Sequence, residues 1–147
     1  MQIHTSELDV SASNPAVTLR FPTGLLGFPD VNEYVLLDME PDLPFKCLQA
    51  AKGHDLAFVV MNPFMLIPDY QISLDEHDLR DLDVHDQKDL CCLAILTIPH
   101  YAPERTTANL QGPILVNTKN YWAKQLTLVQ SPYHTRHSLL ELISASV

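Results

Sequence analysis

Cys91-Cys-Leu-Ala-Ile-Leu-Thr-Ile98, closed by Pro99, is the longest apolar run in the chain. Its length suits a strand, since helices usually need about ten residues or more. Ile95, Thr97 and Ile98 are β-branched and pack well on a pleated surface. A proline directly after the run marks a strand end more readily than a continuing helix. The run is therefore read as a buried strand, and the surrounding chain follows the same pattern.

Upstream, Val17, Leu19 and Phe21 alternate with Thr18 and Arg20, the period-two signature of a half-buried strand. Tyr34–Asp38 and Leu56–Met61 are short apolar runs, and Tyr70, Ile72 and Leu74 alternate with Gln71 and Ser73. Downstream, Ile114–Val116 and Gln125–Val129 also read as strands. Turn chemistry separates them at Phe21-Pro-Thr-Gly24, Asn62-Pro63, Ile67-Pro-Asp69, Gly112-Pro113 and Thr118-Lys-Asn120. Eleven prolines against four glycines agree with short strands and shaped loops. Two short helices are predicted. Asp75 caps a turn near 76–82 and pairs with Asp78 in a capping-box pattern; Ser138 caps a second near 138–144. The fold expected is all-β: a small, partly open barrel or strongly bent sheet of about seven to ten strands with one or two short helices.

The 147 residues suit one domain spanning 1–147. A chain of this length can bury roughly two-thirds of its unfolded surface without disulfides or metals. The N-terminus shows neither a basic nor an apolar segment of a secretory signal, and no apolar run is long enough to span a membrane. Cys47, Cys91 and Cys92 read as reduced thiols, and the expected location is the cytoplasm.

The formal net charge of −9 argues against nucleic acid or an anionic membrane as a direct partner. It fits a basic protein partner, and it also fits simple solubility. The charge is concentrated. Asp75–Asp89 holds seven acids and two bases, and Asp30–Asp42 holds five acids and no base. Such runs are read either as solvated faces or as docking faces for a cationic partner.

Motifs for catalysis are missing. The chain carries no G-x-S-x-G elbow, P-loop or dinucleotide fingerprint. His134 and His137 resemble half of a zinc pair, but no local Cys or His pair completes a ligand set. Both are read as surface histidines, with no metal and no cofactor expected. A small-ligand barrel, with His54, Arg105 and Trp122 as its polar and aromatic wall, is the competing reading. An open cavity lined by those side chains would favour it. A hydrolase would require a compact catalytic cluster in space.

Several blocks resemble the signature segments of the FliW flagellar assembly factors. They are Phe21-Pro-Thr-Gly-Leu-Leu-Gly-Phe28, Phe58-Val-Val-Met-Asn-Pro-Phe64, Pro68-Asp-Tyr70, Thr106–Asn120, Ala123-Lys-Gln125 and the closing Tyr133–His137. Thr106–Asn120 is the most specific. The resemblance implies a small β-barrel-like fold, no enzymatic activity and two protein partners. One is flagellin. The other is CsrA, a basic RNA-binding translational repressor that FliW proteins antagonise allosterically, so that flagellin translation is tuned to assembly. Within the matching blocks, Gly24, Gly27, Asn62, Pro63, Asn109, Pro113, Asn117 and Lys119 are read as structural. Asp75, Glu76, Asp78, Asp81 and Asp83 are expected to dock the basic repressor, with Phe28 and Phe64 as apolar anchors.

Overall fold

The computed structural model describes residues 16–39, 43–51, 53 and 55–145. Nine strands and two α-helices occur among them. The first five strands are β1 (Ala16–Arg20), β2 (Glu33–Asp38), β3 (Lys46–Ala50), β4 (Ala57–Met61) and β5 (Leu90–Thr97). They form an antiparallel meander. Helix α1 (Glu76–Asp81) lies in the long connection before β5. Four shorter strands follow: β6 (Thr107–Ala108), β7 (Ile114–Asn117), β8 (Ala123–Gln125) and β9 (His137–Ser138). Helix α2 (Leu139–Ala145) comes last, its first turn capped by Ser138 Oγ, which accepts from Glu141 N–H at 3.3 Å.

β5 organises the sheet. Its first half, Leu90–Leu93, pairs with β7. Its second half is flanked by β4 and β6. β8 continues from β7, and Trp122, just before β8, forms an isolated parallel bridge with Arg20 at the end of β1. The pairings thus run around a ring from β1 through β5, β7 and β8 and back to β1. The last step is a single bridge, reinforced by Arg20 N–H donating to Tyr121 O at 2.9 Å. This is the partly open barrel expected from strand spacing.

The alternation of side chains along β5 serves two cores. Cys91 and Leu93 point into the barrel with Leu19, Phe21, Tyr34, Leu36, Leu48, Ile114 and Val116. Leu90, Cys92, Ala94 and Leu96 face a second core with Met61, Tyr70, Ile72, Leu74, Leu82, Leu110, Leu115 and Leu128. Burial on both faces explains why this strand is a continuous apolar run and β1 alternates. It also raises both adjacent thiols: burial pushes the Cys91 pKa up to about 12 and that of Cys92 well above its ordinary value. Both are free cysteines without thiolate character.

Three sequence expectations need correction. Tyr70–Leu74 has the alternating burial of a strand, yet among the described residues it forms no strand, and only Ser73 makes an isolated bridge. The segment is instead anchored by the buried Tyr70 hydroxyl, which donates to Leu110 O. Gln125–Val129 contributes only Gln125 to β8. Beyond it, Leu126 N–H and Leu128 N–H donate to Pro113 O and Gln111 O in irregular chain, each at 2.8 Å. β5 also begins one residue earlier and ends at Thr97, leaving Ile98 exposed. β3 has no sequence signal: of Lys46–Ala50, only Leu48 and Ala50 are buried.

Gly24 illustrates how tightly one signature turn is built. It sits at φ +69°, and an added Cβ would lie 2.5 Å from Phe28 O and 2.7 Å from Pro29 Cα. Both obstacles are backbone and cannot rotate away. Gly27, at φ +88°, faces open space, and a Cβ added there would meet nothing within 4 Å. Gly24→Ala is expected to cost about 2–3 kcal/mol in urea unfolding, and Gly27→Ala about 1 kcal/mol from the left-handed backbone alone. Equal costs would show that the close approach at Gly24 is not the constraint.

Candidate functional site

The acidic segment is built around α1, whose six residues are too few to hold a helix by propensity. Its start is closed by a reciprocal capping box. Asp75 Oδ1 accepts from Asp78 N–H at 2.8 Å, and Asp78 Oδ2 accepts from Asp75 N–H at 3.3 Å. Its apolar side is fixed by Leu79, packed against the outer core, and by fully buried Leu82. Its end is gripped by two asparagines, one closing β7 and one in the turn after it: the side-chain amides of Asn117 and Asn120 donate to Leu82 O at 2.9 and 3.2 Å.

Asp78 and Asp81 stand one turn apart on the same side of α1. Both reach Lys124 Nζ on β8, at 2.8 and 2.7 Å. The site is mostly covered, with Lys124 and Asp78 side chains 19% and 16% exposed. The Lys124 hydrogen bond holds the Asp81 carboxyl below its ordinary pKa, although partial burial opposes this. Burial works against the charge on Lys124, but its hydrogen bonds to both carboxylates outweigh it and raise its pKa. Asp75, fully exposed, is held below its ordinary value chiefly by the Asp78 amide.

The five acids singled out in the sequence therefore divide. Asp75, Asp78 and Asp81 are engaged in capping and in the Lys124 tether. Glu76 is exposed, and Asp83, 65% exposed, lies 3.4 Å from His85 Nε2. Asp86, 50% exposed, extends the acidic surface beside Lys88. Part of the Asp30–Asp42 run lies outside the described residues. The two phenylalanines belong to different neighbourhoods: Phe28 packs edge-on against Phe58, and Phe64 against Tyr70 on the outer core. Sequence reasoning misses Lys124 as a partner of α1, because 43 and 46 residues separate it from its carboxylates. No local sequence signal reports such a contact.

The remaining motif residues brace irregular chain. Asn62 Oδ1 accepts from Phe64 N–H at 3.0 Å, capping the 3-10 turn that begins at buried Pro63. Asn109 Oδ1 accepts from the amides of Gln111 and Gly112 at 3.2 and 2.9 Å. Buried Asn117 donates to Leu82 O and Asp83 O and accepts from Lys119 N–H at 2.9 Å. The Lys119 side chain is exposed, and Pro113 is buried. Gln125 joins two of the blocks: it accepts from Leu26 N–H at 2.9 Å and donates to Gly112 O at 3.0 Å.

The groups weighed for other chemistry are dispersed. His134 and His137 stack with ring centroids 3.8 Å apart. His137 Nε2 accepts from His134 N–H, and His134 Nδ1 accepts from Arg136 N–H. No group of three or more His, Cys, Asp or Glu is arranged to hold a metal among the described residues. Arg105 is exposed in a 3-10 turn, whereas Trp122 stands at the barrel seam, and His54 lies outside the described residues.

Comparison with known proteins settles the family. The profile of the FliW protein family matches residues 2–139. The chain belongs to the FliW family. Relatives include the flagellar assembly factor FliW of Alkaliphilus metalliredigens, 38% identical over 95% of this chain and 85% of the relative. That of Bacillus subtilis strain 168 is 36% identical over 95% of this chain and 96% of its own. A crystal structure of the flagellar assembly factor FliW superposes with a TM-score of 0.74 at 38% identity, covering 83% of this chain and 84% of the other. Within this FliW-family fold, the Phe21–Phe28, Thr106–Asn120 and Ala123–Gln125 blocks meet where α1 joins the barrel seam.

Replacing Lys124 by Met keeps the stem and removes the charge. It should lower stability by about 2 kcal/mol, the range for charge-assisted hydrogen bonds, reduced by solvent at the Asp81 end. The Asp81 contribution has a definite sign. Its folded pKa is depressed, so its stabilisation is present above the ordinary value of 3.8 and fades as pH falls through the folded value. Lys124→Met should flatten that acid limb in pH-dependent unfolding. Unchanged stability with an unchanged acid limb would show that the tether contributes nothing.

Proposed function

We propose that this chain is a flagellar assembly factor that works by binding proteins. Its partners are flagellin and a CsrA-like basic translational repressor, whose hold on flagellin mRNA it weakens from a surface away from the RNA. Newly made flagellin competes for the chain, and flagellin translation is thereby tuned to assembly. The reading includes no catalysis, no cofactor and no direct contact with nucleic acid or membrane. Family membership supports it. So does the barrel interior, which is filled by side chains such as Phe21, Tyr34 and Leu48 rather than open to a metabolite. No helix among the described residues is long and apolar enough to cross a membrane.

The observation that carries the repressor half is the exposed acidic surface of Glu76, Asp83 and Asp86 on and after α1. Exposed charges of this kind steer a cationic partner and act on the encounter rate more than on final affinity. Each contributes little alone, on the order of 1 kcal/mol or less. Phe28 and Phe64 remain the proposed apolar anchors, of which Phe28 is the more accessible at 36%.

The test must spare the residues that hold α1 in place. Asp83 has φ +52°, which asparagine tolerates, and Asp86 Oδ1 caps Lys88 N–H, which asparagine can also do. Glu76→Gln, Asp83→Asn and Asp86→Asn together remove three charges and preserve the local geometry. Stopped-flow association with the cognate repressor should slow about tenfold at low salt, with a weaker salt dependence and unaltered thermal unfolding. Association kinetics and salt dependence identical to the unaltered chain would leave this surface a solvated face. A companion titration should show the chain releasing repressor from flagellin mRNA, and added flagellin restoring repression.

A further inference from the structure

Beside the acidic surface lies a pocket of opposite character. It has a volume of about 490 Å³ and is lined by Arg20, Pro22, Arg80, Asp81, Trp122 and Lys124, among others. Lys124 is already held by Asp78 and Asp81. The two arginines are different: both are exposed, and neither guanidinium forms an ion pair among the described residues. Two uncommitted guanidiniums sharing one pocket stand out in a chain of net charge −9.

The aromatic wall is held in place. Arg20 and Trp122 are bridge partners at the barrel seam. Trp122 N–H donates to Asn120 Oδ1 at 2.9 Å, and Trp122 O accepts from Asn117 N–H at 2.8 Å. Tyr121, directly before it, sits at φ +61°, a left-handed conformation that costs energy for a bulky residue. The turn accepts this strain while presenting an indole that remains 36% exposed. Pro22 and Ala123 add apolar surface.

We propose that this pocket docks an acidic peptide segment of a partner protein. Carboxylates of the peptide engage Arg20 and Arg80, and a neighbouring apolar side chain packs on Trp122. Charge complementarity selects the occupant. Guanidinium matches carboxylate geometry, and Trp and Arg are the side chains enriched in interface hot spots. A nucleic acid is disfavoured, because two free cations cannot offset the repulsion between a phosphate backbone and an acidic chain. Asp81 on the pocket wall limits the charge the site accepts and favours one or two carboxylates over a dense polyanion. None of Glu76, Asp83 and Asp86 lines this pocket, so the cationic recess and the acidic surface are offered by different side chains, although both border α1.

Trp122 is the only tryptophan in the sequence, so its emission reports on the pocket directly. The probes are a set of synthetic peptides with Asp or Glu at varied positions around one Leu or Phe, and matched Lys-substituted peptides. Citrate, inorganic phosphate and an oligouridylate complete the series. At least one acidic peptide should shift Trp122 emission saturably, with affinity falling as salt rises. The Arg20→Gln, Arg80→Gln double variant should bind that peptide at least tenfold more weakly with an unchanged unfolding midpoint. Arg20→Lys, Arg80→Lys, which keeps the charges, should recover part of the loss. The proposal is overturned if no acidic peptide gives a saturable change, if the lysine peptides bind equally, or if the double glutamine variant binds as well as the unaltered chain. Equal or tighter binding of citrate, phosphate or the oligouridylate would also overturn it.

Discussion

The structure depends on one strand that is buried on both faces from Leu90 to Ala94. β5 places Cys91 and Leu93 in the barrel and Leu90, Cys92, Ala94 and Leu96 in the outer core. Each fully buried leucine of this kind contributes roughly 1.5–3 kcal/mol by removal from water. Because one backbone carries both sets, neither core can open without disturbing the other. The acidic helix inherits its position from this arrangement. Leu79 and Leu82 seat α1 on the outer core, and β7, the partner of β5, ends in Asn117, which with Asn120 of the following turn holds Leu82 O.

Polar side chains then determine how the surface is presented. Among the described residues the barrel closes through one bridge at Arg20 and Trp122, a seam with little ladder of its own. Asn117, Asn120, Lys124 and Gln125 gather there and tie α1, the Gly24 turn and the Gly112 loop to the last barrel strand. The helix that results borders two surfaces. Asp78 and Asp81 are absorbed by Lys124, while Arg80, between them, lines the cationic pocket. Glu76 and Asp83, at either end, remain in solvent. A strongly acidic segment thus presents less free acid than its composition suggests, and a cationic recess lies beside it.

Legibility in the sequence follows the range of the interaction. Alternation locates β1, whose two faces differ, and short apolar runs locate β2, β4, β5 and β7, which are more fully buried. The Asp75–Asp78 box is readable because both partners sit within one turn. The strand expected at Tyr70–Leu74 fails for a physical reason: alternating burial requires only an extended chain on an apolar surface, whereas a strand requires a run of ladder pairs, and the segment has a single bridge residue, Ser73. β3 is hidden because Lys46, Cys47 and Gln49 give it no clear pattern. The Lys124 tether and the pairing of Arg20 with Trp122 are invisible, since about 45 and 100 residues separate the partners and only the closed barrel brings them together. The family resemblance, by contrast, is carried by short blocks that lie at the joins of the fold.

The most direct test of the account is amide hydrogen exchange on the chain alone and saturated with the basic repressor proposed as its partner. In both states the β5 amides should exchange most slowly, as expected for a strand shared by two cores. On binding, protection should rise across residues 75–89, with β1 to β3 unchanged. A complex that leaves residues 75–89 exchanging as in the free chain, and gains its protection on another face, would contradict the proposal that the acidic segment docks the repressor.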